Sequence, residues 1–550
     1  MRKSMILPAL ASALMLTSVS AKAEAVLTAL PYQTTAFAEV YNPFNQTAPV
    51  RSVRDFMFEQ LVVFNRMQGG RPEYRLAESF EYSDDLKSVT FKIREGAKWS
   101  DGETLDANDV YFTFNLIKEH SALDIRAIWD KLDSVELVDD QHVKVNYKEA
   151  STGLIYDVAR LHTVPEHIWA SVEDPVSFTN PNPVGSGPLT EIRRFTPQEY
   201  VQCRNPNYFQ AADLKVDCMR FPQIANNDQA LAAAAKGELD WFGSFLPDIE
   251  KTYVAKDPEN HKYWFPGGSL VIFNLNMNAA EEGNKEAFSD VNFRRAFSMA
   301  MDRQSMVDIA GYGYPTINQY PSGLGRGYHA WNNPEADAQF GKYTEYDVAG
   351  AAALLAEAGY KDTDGDGFVE TPSGKPVSFD LIVPNGWTDW VNTVQLAVEG
   401  LHEAGVNASI ATPEAAAWTQ SLLDGTYQGA INALVVGVTP HQAFNTFHSS
   451  KAMSARFSVT GYTNEELDGL LDSFFKTADE AEQRGIMDKI QMILSEDMPH
   501  VPVFNNPYWY QYNTARFEGF FSADNDQAVP VVHDGNPERI LHLLSLKPKG

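Results

Sequence analysis

The sequence is poor in cysteine and in basic residues. Its 550 residues contain two cysteines, and 44 lysines and arginines stand against 73 aspartates and glutamates, which gives a formal net charge of -29. A chain so short of positive charge is repelled by nucleic acid and by anionic membrane surfaces, so neither is expected as a partner. After the N-terminal segment no run of about 18 apolar residues occurs, which excludes a membrane-spanning helix there.

Signatures of catalysis and of metal binding are also missing. His402-Glu403 is not followed by a histidine at zinc-protease spacing, and His162 with His167 lacks a third ligand. Neither a Gly-x-Ser-x-Gly nucleophile turn nor a phosphate-binding loop is present. The sequence predicts a protein that is not an enzyme and uses no cofactor or metal. A secreted glycosidase is the remaining enzymatic alternative, because 73 acidic residues always offer some pair of carboxylates.

The first 23 residues have the layout of a secretory signal peptide. Arg2 and Lys3 form a basic start, residues 6–19 are largely apolar, and Ala21 and Ala23 are the small residues that a signal peptidase requires. We therefore expect cleavage after Ala23 and export of a soluble mature chain to the periplasm. No cysteine lies near that site, so we expect no lipid anchor there.

The two cysteines are expected to pair, because an exported protein meets an oxidising compartment. Cys203 and Cys218 flank a turn-forming segment at 205–208, which favours a hairpin of two strands. A disulfide closing this loop would contribute about 3 kcal/mol by chain entropy. Two separate buried thiols are the alternative.

The two halves of the sequence differ in their periodicity. Up to about residue 180, alternating stretches such as 89–93 and 143–147 predict strands, and Asp106 predicts a capped helix, which together indicate an α+β region. Residues 51–65 carry apolar side chains at helical spacing and predict a helix. The second half predicts an α/β lobe, with strands at 379–383 and 427–436 and helices at 291–302, 348–358 and 391–404.

Seven blocks of the sequence resemble, in the same order, the family 5 extracellular solute-binding proteins. This family serves importers of dipeptides, oligopeptides, nickel and oligosaccharides. The most specific block is TFKIREGAKWSDG at 90–102. The other blocks are at 76–80, 107–110, 183–188, 205–208, 293–297 and 301–303.

The resemblance implies an α/β fold of two lobes, the periplasmic binding protein fold, with an extra α+β subdomain and a ligand cleft between the lobes. Lobe one is expected to combine 24–275, including the subdomain at about 51–180, with the C-terminal tail 536–550, and lobe two to span 276–535. The family implies hinge closure on the ligand and delivery to the permease subunits of an ABC transporter. It also implies a monomer.

A closer resemblance concerns the ligand. The loop NGWTD at 385–389 and the segment PQIANND at 222–228 are similar to the branch that binds β-linked cello- and chito-oligosaccharides. That branch implies stacking on a sugar ring for Trp387 and acceptance from hydroxyl groups for Asp389. The predicted ligand-binding residues are Trp387, Asp389, Asn385, Phe457, Asn226, Asn227, Glu39 and His533.

Several positions depart from the chitin-binding pattern. Val435 stands where an aromatic residue is expected, Val532 and His533 where a second tryptophan is expected, and Glu39 where arginine is expected. These departures favour another ring chemistry or linkage than that of chitobiose. A short peptide is the alternative ligand, with Glu39 facing its amino group.

Packing alternatives apply to the aromatic and acidic candidates. Trp387 and the aromatic run 508–510 have core packing as the alternative to ligand contact, and Asp389 has a helix cap. The acidic turn at 362–367 resembles the start of a calcium loop, but its twelfth position is Ser373 instead of a bidentate glutamate. A metal-free turn is therefore predicted.

Overall fold

The fold is described by a computed structural model that covers residues 24–45, 52–434, 436–451, 460–533 and 535–549. The predicted signal peptide, Val435 and Phe457 lie outside these residues. The described chain forms two large β-sheets with helices packed against them and a smaller four-stranded sheet. This arrangement agrees with the predicted mixed α/β fold.

The first large sheet belongs to lobe one and has seven strands. In spatial order they are His261–Tyr263, Gln511–Asn513, Trp241–Phe242, Val26–Leu30, Cys218–Pro222, Glu199–Arg204 and Leu189–Thr196. Cys203 and Cys218 face each other across an antiparallel pair of these strands, with their Cα atoms 4.0 Å apart. They form the predicted disulfide.

Lobe one also carries the α+β subdomain. Its strands, in spatial order, are Ala77–Tyr82, Ser88–Ile93, His142–Tyr147 and Leu132–Asp139. The helix Ala107–Glu119 packs against this sheet and begins with a capping box formed by Asp106 and Asp109. Phe91 and Val145 of the subdomain belong to the same hydrophobic core as Leu27 of the large sheet, so the subdomain and the sheet form one packed unit.

The helix predicted over 51–65 is not formed in its described part, residues 52–65. Val53–Met57 is one irregular turn in which Asp55 has a φ of 67°, and Val62–Asn65 is a strand that pairs with Arg71–Tyr74. The turn lies between the strand Leu189–Thr196 and the C-terminal helix Arg539–Ser545. Its apolar side chains are therefore buried on several sides, and their spacing does not mark one face of a helix.

The second large sheet belongs to lobe two and has six strands. In spatial order they are Thr316–Ile317, Val501–Asn505, Leu270–Leu275, Gly429–Ala433, Ser378–Ile382 and Asn407–Ala411. The helix Thr388–Glu403 connects Ser378–Ile382 to its parallel neighbour, which is the expected strand-helix-strand unit. The other two predicted helices are present as Val291–Met299 and Val348–Glu357.

Further helices complete the two lobes. They are Ile155–Val158, Glu166–Trp169, Asn227–Ala235, Ile249–Thr252, Glu282–Ser289, Arg303–Ser305, Pro334–Phe340, Ala415–Asp424, Pro440–Phe444, Glu465–Phe474 and Glu480–Asp497. Two short strands, Phe517–Glu518 and Lys547–Pro548, pair near the C-terminus. None of the described helices combines the length and the hydrophobicity that crossing a membrane requires.

The chain passes twice between the two large sheets, after Tyr263 and after Asn505. The lobe boundaries at 275 and 535 stay a prediction. Leu270–Leu275 pairs with strands of lobe two, and Gln511–Asn513 pairs with strands of lobe one. The chain therefore rejoins the first large sheet at Gln511–Asn513.

Candidate ligand-binding cleft

The cleft lies where one edge of the second sheet faces lobe one. Ser378–Ile382 and Gly429–Ala433 are adjacent parallel strands, so their carboxyl ends share this edge. The segments that follow them, 383–387 and 436–439, both reach lobe one. Gly70 of lobe one lies so close to Val438 that an added Cβ would come within 2.5 Å of the valine Cγ1. The two lobes are thus in contact at the second loop.

A cavity of about 390 Å³ lies between the lobes beside this contact. Its volume is within the range of about 300–1,000 Å³ that is typical of ligand pockets. The aromatic side chains of its lining are Tyr328, Trp331 and Tyr508, and its charged side chain is Arg66. The lining also includes seven glycines, which expose backbone to a ligand: Gly69, Gly267, Gly268, Gly323, Gly325, Gly327 and Gly437.

Arg66 is held by lobe one and reaches lobe two. Its Nε and Nη2 donate to Glu538 Oε2 at 2.8 and 2.5 Å, and Nη2 also donates to Asn536. Its Nη1 donates to the Tyr508 hydroxyl at 2.9 Å and to the Val436 carbonyl oxygen of lobe two at 3.5 Å. Burial disfavours the charged form, but Tyr508 and Glu538 raise the pKa of Arg66 above its ordinary value. Glu538, with a fully buried side chain, neutralises this cation.

The loop that covers the cavity is fixed from within lobe two. The Tyr328 hydroxyl donates to the Gly437 carbonyl oxygen and accepts from the Gly437 N–H, both at 2.8 Å. The Gln442 side-chain oxygen accepts from the N–H groups of Val438 and Thr439. A Cβ at position 437 would lie 2.0 Å from that oxygen, so this turn requires glycine. The loop is therefore ordered by its own lobe as well as by its contact with lobe one.

A second contact between the lobes joins residues that the sequence predicted as ligand-binding. Asn227 of lobe one donates to the Thr388 hydroxyl at 3.3 Å and also hydrogen-bonds the Asp389 carboxyl group. The Asn226 Cβ would lie 2.9 Å from a Cβ added at Gly386. The structure thus brings Asn226 and Asn227 against the 386–389 loop, across the cleft.

Asp389 lies in the first turn of the helix Thr388–Glu403, one residue beyond the start of the helix. Its side chain is buried, and this burial raises its pKa to about 6. Hydrogen bonds from the Trp390 backbone and from Asn227 favour the charged form, but they offset the burial only in part. The carboxyl group therefore has partners on both lobes.

Trp387 and Asn385 lie at the lobe-two side of the cleft. The half-buried Trp387 ring contacts Trp390 and Trp418, with centroids 5.1 and 6.1 Å apart. It is not part of the lining of the 390 Å³ cavity. Asn385 is exposed and donates to the Glu414 carboxylate at 3.0 Å.

Among the described residues, Glu39 and His533 do not line this cavity. Glu39 is exposed beside Tyr41, and burial together with the Glu39 charge raises the pKa of that tyrosine well above its ordinary value. His533 is half-buried, and its Nδ1 accepts from the Gly535 N–H at 3.1 Å. Phe457 lies outside the described residues.

Sequence reasoning did not select Arg66, Tyr328 or Trp331. Arg66 immediately follows the strand Val62–Asn65, which lies within the segment 51–65 where a helix was predicted. The glycine-rich run SGLGRG at 322–327 precedes Tyr328 and was the available signal, because clustered glycines permit close approach of a ligand to backbone. Within the aromatic run 508–510, Tyr508 lines the cavity whereas Tyr510 is fully buried.

The acidic turn carries Asp362, Asp364 and Asp366 on the surface, with carboxylate oxygens within 4.8 Å of one another. Asp362 accepts from the N–H groups of the turn that it begins. Glu370, at the ninth position, is buried and accepts from the backbone and hydroxyl groups of Thr363 at 2.7 and 2.6 Å. These hydrogen bonds hold the turn together.

Two lobes that are joined by two chain passages and enclose a cavity of this size are typical of a protein that binds a small solute. The model of the bacterial extracellular solute-binding proteins, family 5 Middle, matches residues 71–455. The chain belongs to this family. It is the solute-binding component of an ABC transporter, and its relatives are binding proteins, not enzymes.

Relatives with different ligands resemble the chain to a similar degree. The oligopeptide-binding protein AppA of Bacillus subtilis is 26% identical over 80% of this chain and 81% of its own length. The periplasmic alpha-galactoside-binding protein of Rhizobium meliloti is 24% identical over 79% of this chain and 69% of its own. A mannohexaose-bound periplasmic oligopeptide-binding protein of Thermotoga maritima is 26% identical, with a TM-score of 0.87, over 96% of this chain and 100% of that one.

Proposed function

We propose that this protein captures a short oligosaccharide in the periplasm and delivers it, as a monomer, to the permease of an ABC importer. The β-linked cello- and chito-oligosaccharides are the first candidates. The observation that carries the proposal is the lining of the 390 Å³ cavity, which joins three aromatic side chains, exposed glycine backbone and one neutralised cation.

This lining matches the chemistry of a sugar. A pyranose ring has an apolar C–H face that an aromatic ring can cover, and its hydroxyl groups need directional donors and acceptors. Trp331 and Tyr508 offer ring surface, and the glycines offer carbonyl and N–H groups. We keep the half-buried Trp387 as a proposed stacking residue farther along the cleft, with Asn385, Asp389, Asn226 and Asn227 beside it.

A peptide ligand is the second candidate, favoured by the oligopeptide-binding relative from Bacillus subtilis. A free peptide carries an α-amino cation, which binding sites match with a carboxylate. The described lining of the cavity contains no aspartate or glutamate. The mannohexaose bound by the relative from Thermotoga maritima supports a sugar instead.

Thermal melting of the mature protein, stripped of carried-over ligand, tests the proposal. Cello-, chito-, manno- and xylo-oligosaccharides are compared with short peptides, and a ligand at 100 times its dissociation constant should add about 2.7 kcal/mol. A raised melting temperature with one sugar series is expected. A rise with peptides alone would overturn the sugar assignment and leave the transport role standing.

Trp331→Ala tests the cavity itself. Loss of a buried aromatic contact is expected to weaken sugar binding by about 2 kcal/mol, or roughly 30-fold, measured by isothermal titration calorimetry. Trp129→Ala is the matched control, because this half-buried tryptophan packs in the subdomain, where its ring nitrogen donates to Phe114. Equal affinities of the two variants would contradict the assignment of this cavity.

A further inference from the structure

A smaller cavity of about 40 Å³ adjoins the large one. Both cavities are lined by Arg66 and by the loop residues Val436, Gly437 and Val438, so they lie next to each other at these residues. The smaller cavity is also lined by Arg160, just after the helix Ile155–Val158. The smaller cavity thus adds a second guanidinium, beside the aromatic side chains of Phe64 and Tyr156.

Arg160 differs from Arg66 in its lack of a matched partner. Its Nε is buried and has no hydrogen-bond partner among the described residues. Arg126 lies near enough for the two guanidiniums to repel each other. Burial and this repulsion lower the pKa of Arg126 to about 9.

Nearby carboxylates do not balance the two arginines. Asp55 accepts from Arg539 at 2.9 Å and from His162 at 3.2 Å, so it is engaged elsewhere. Asp55 and Asp157 both act on Arg126 and Arg160, but among the described residues neither carboxylate forms an ion pair with either arginine. The two half-buried arginines are therefore opposed by carboxylates of which Asp55 is already paired with Arg539 and Glu538 with Arg66, in a protein whose overall charge is -29.

We propose that Arg160, supported by Arg126, binds a carboxylate group of the ligand. This assignment rests on the proposed function, and together the two make the ligand an acidic oligosaccharide. Its neutral rings would lie against the aromatic side chains and its uronic acid at the Arg160 end. A guanidinium binds a carboxylate through two parallel N–H donors, and a buried guanidinium with an unused N–H retains that capacity. A local excess of positive charge also attracts an acidic ligand to a protein that otherwise repels it.

Titration calorimetry with matched ligands tests the proposal. Cellobiouronate, which carries a terminal glucuronic acid, is compared with neutral cellobiose, and trialanine with a free C-terminus is compared with its amide. Cellobiouronate is expected to bind at least about 10-fold more tightly than cellobiose, since a charge-assisted hydrogen bond is worth about this much. Arg160→Gln is expected to remove the preference by weakening only the acidic ligand.

Two further variants keep the test decisive. Arg160→Lys retains the charge without the planar fork, so it should restore only part of the preference even if the glutamine variant folds poorly. Arg194→Gln, at an arginine whose side chain is 62% exposed, should change nothing. Equal binding of acidic and neutral forms, or no binding of any acidic form, overturns the proposal.

The peptide arm separates this proposal from the oligosaccharide function. Binding of free trialanine alone, weakened by Arg160→Gln and abolished by amidation, supports the carboxylate site but refutes the sugar assignment. Tight binding of cellobiose that ignores Arg160 supports the sugar assignment but refutes the carboxylate site.

Discussion

Replacing Asp389 by asparagine tests the electrostatics of the contact between the lobes. The pKa of Asp389 in the folded protein is about 6, above its ordinary value of 3.8, because burial disfavours the carboxylate. The folded protein therefore holds this proton more tightly than the unfolded chain does. The stabilisation that comes from this proton is complete below about pH 4, and it is lost as the pH rises through about 6.

The magnitude follows from the size of the shift. About 2 pKa units correspond to about 3 kcal/mol, at 1.36 kcal/mol per unit. Asparagine keeps the shape of the side chain and a hydrogen-bonding group for Asn227, but it carries no charge. At pH 8, Asp389→Asn is expected to raise the free energy of unfolding by up to about 3 kcal/mol, and at pH 4 to leave it nearly unchanged.

Calorimetric melting of the parent and the variant between pH 4 and 9 measures this difference. With an unfolding entropy of about 2.1 cal/mol/K per residue, the variant should melt roughly 3 °C higher at pH 8 if both lobes unfold together, and roughly 6 °C higher if one lobe unfolds alone. Asp364→Asn is the control, because that carboxylate is exposed. A difference that stays flat between pH 5 and 7, or that grows towards acid pH, would refute the reasoning.

Two further substitutions test the framework of lobe one. Replacing Cys203 and Cys218 together by alanine is expected to lower the free energy of unfolding by about 3 kcal/mol, measured by urea denaturation, because the 15-residue loop between them is no longer closed. Glu538→Gln is expected to lower it by about 3 kcal/mol or more in the same assay, because Arg66 then lies in the cleft without its buried partner.

Each of these expectations has its own control. Reduction of the parent protein by dithiothreitol should reproduce the effect of the double alanine variant, and an unchanged denaturation midpoint would contradict the disulfide prediction. Glu73→Gln breaks an ion pair whose arginine side chain is 58% exposed, so it is expected to lose less than about 1 kcal/mol. A Glu538→Gln variant as stable as Glu73→Gln would show that Arg66 is not a desolvated cation.

Local sequence patterns predicted lobe two well, for a physical reason. The strand Ser378–Ile382 alternates between buried and more accessible residues, and Thr388–Glu403 buries one face, so each element shows its period in the sequence. The segment 51–65 lacks that property, because its apolar residues pack in several directions. A period can be recognised only where an element has one buried side.

The lobe boundaries depend on pairing that is not local. Leu270–Leu275 is buried at every position, so its sequence is equally compatible with either sheet. Gln511–Asn513 joins lobe one by pairing with His261–Tyr263, about 250 residues earlier in the chain. Because such pairing is fixed by the whole fold, the local sequence does not show the residues at which the chain passes between the two sheets.

The side chains of the cleft were also predictable only where they lie close together in the sequence. The NGWTD loop could be recognised because its residues are contiguous, and Asn227 meets it across the cleft as a residue from a second recognisable segment. Arg66 and Glu538 are 472 residues apart, so nothing near either one indicates that the cation is neutralised. Arg160 is the opposite case, because its Nε has no hydrogen-bond partner among the described residues, and this is evident only once its neighbours are known. Only the folded structure therefore shows which arginine is neutralised by another residue and which can still bind a ligand. For this reason the charge of the ligand is the part of the function that the sequence alone predicts least.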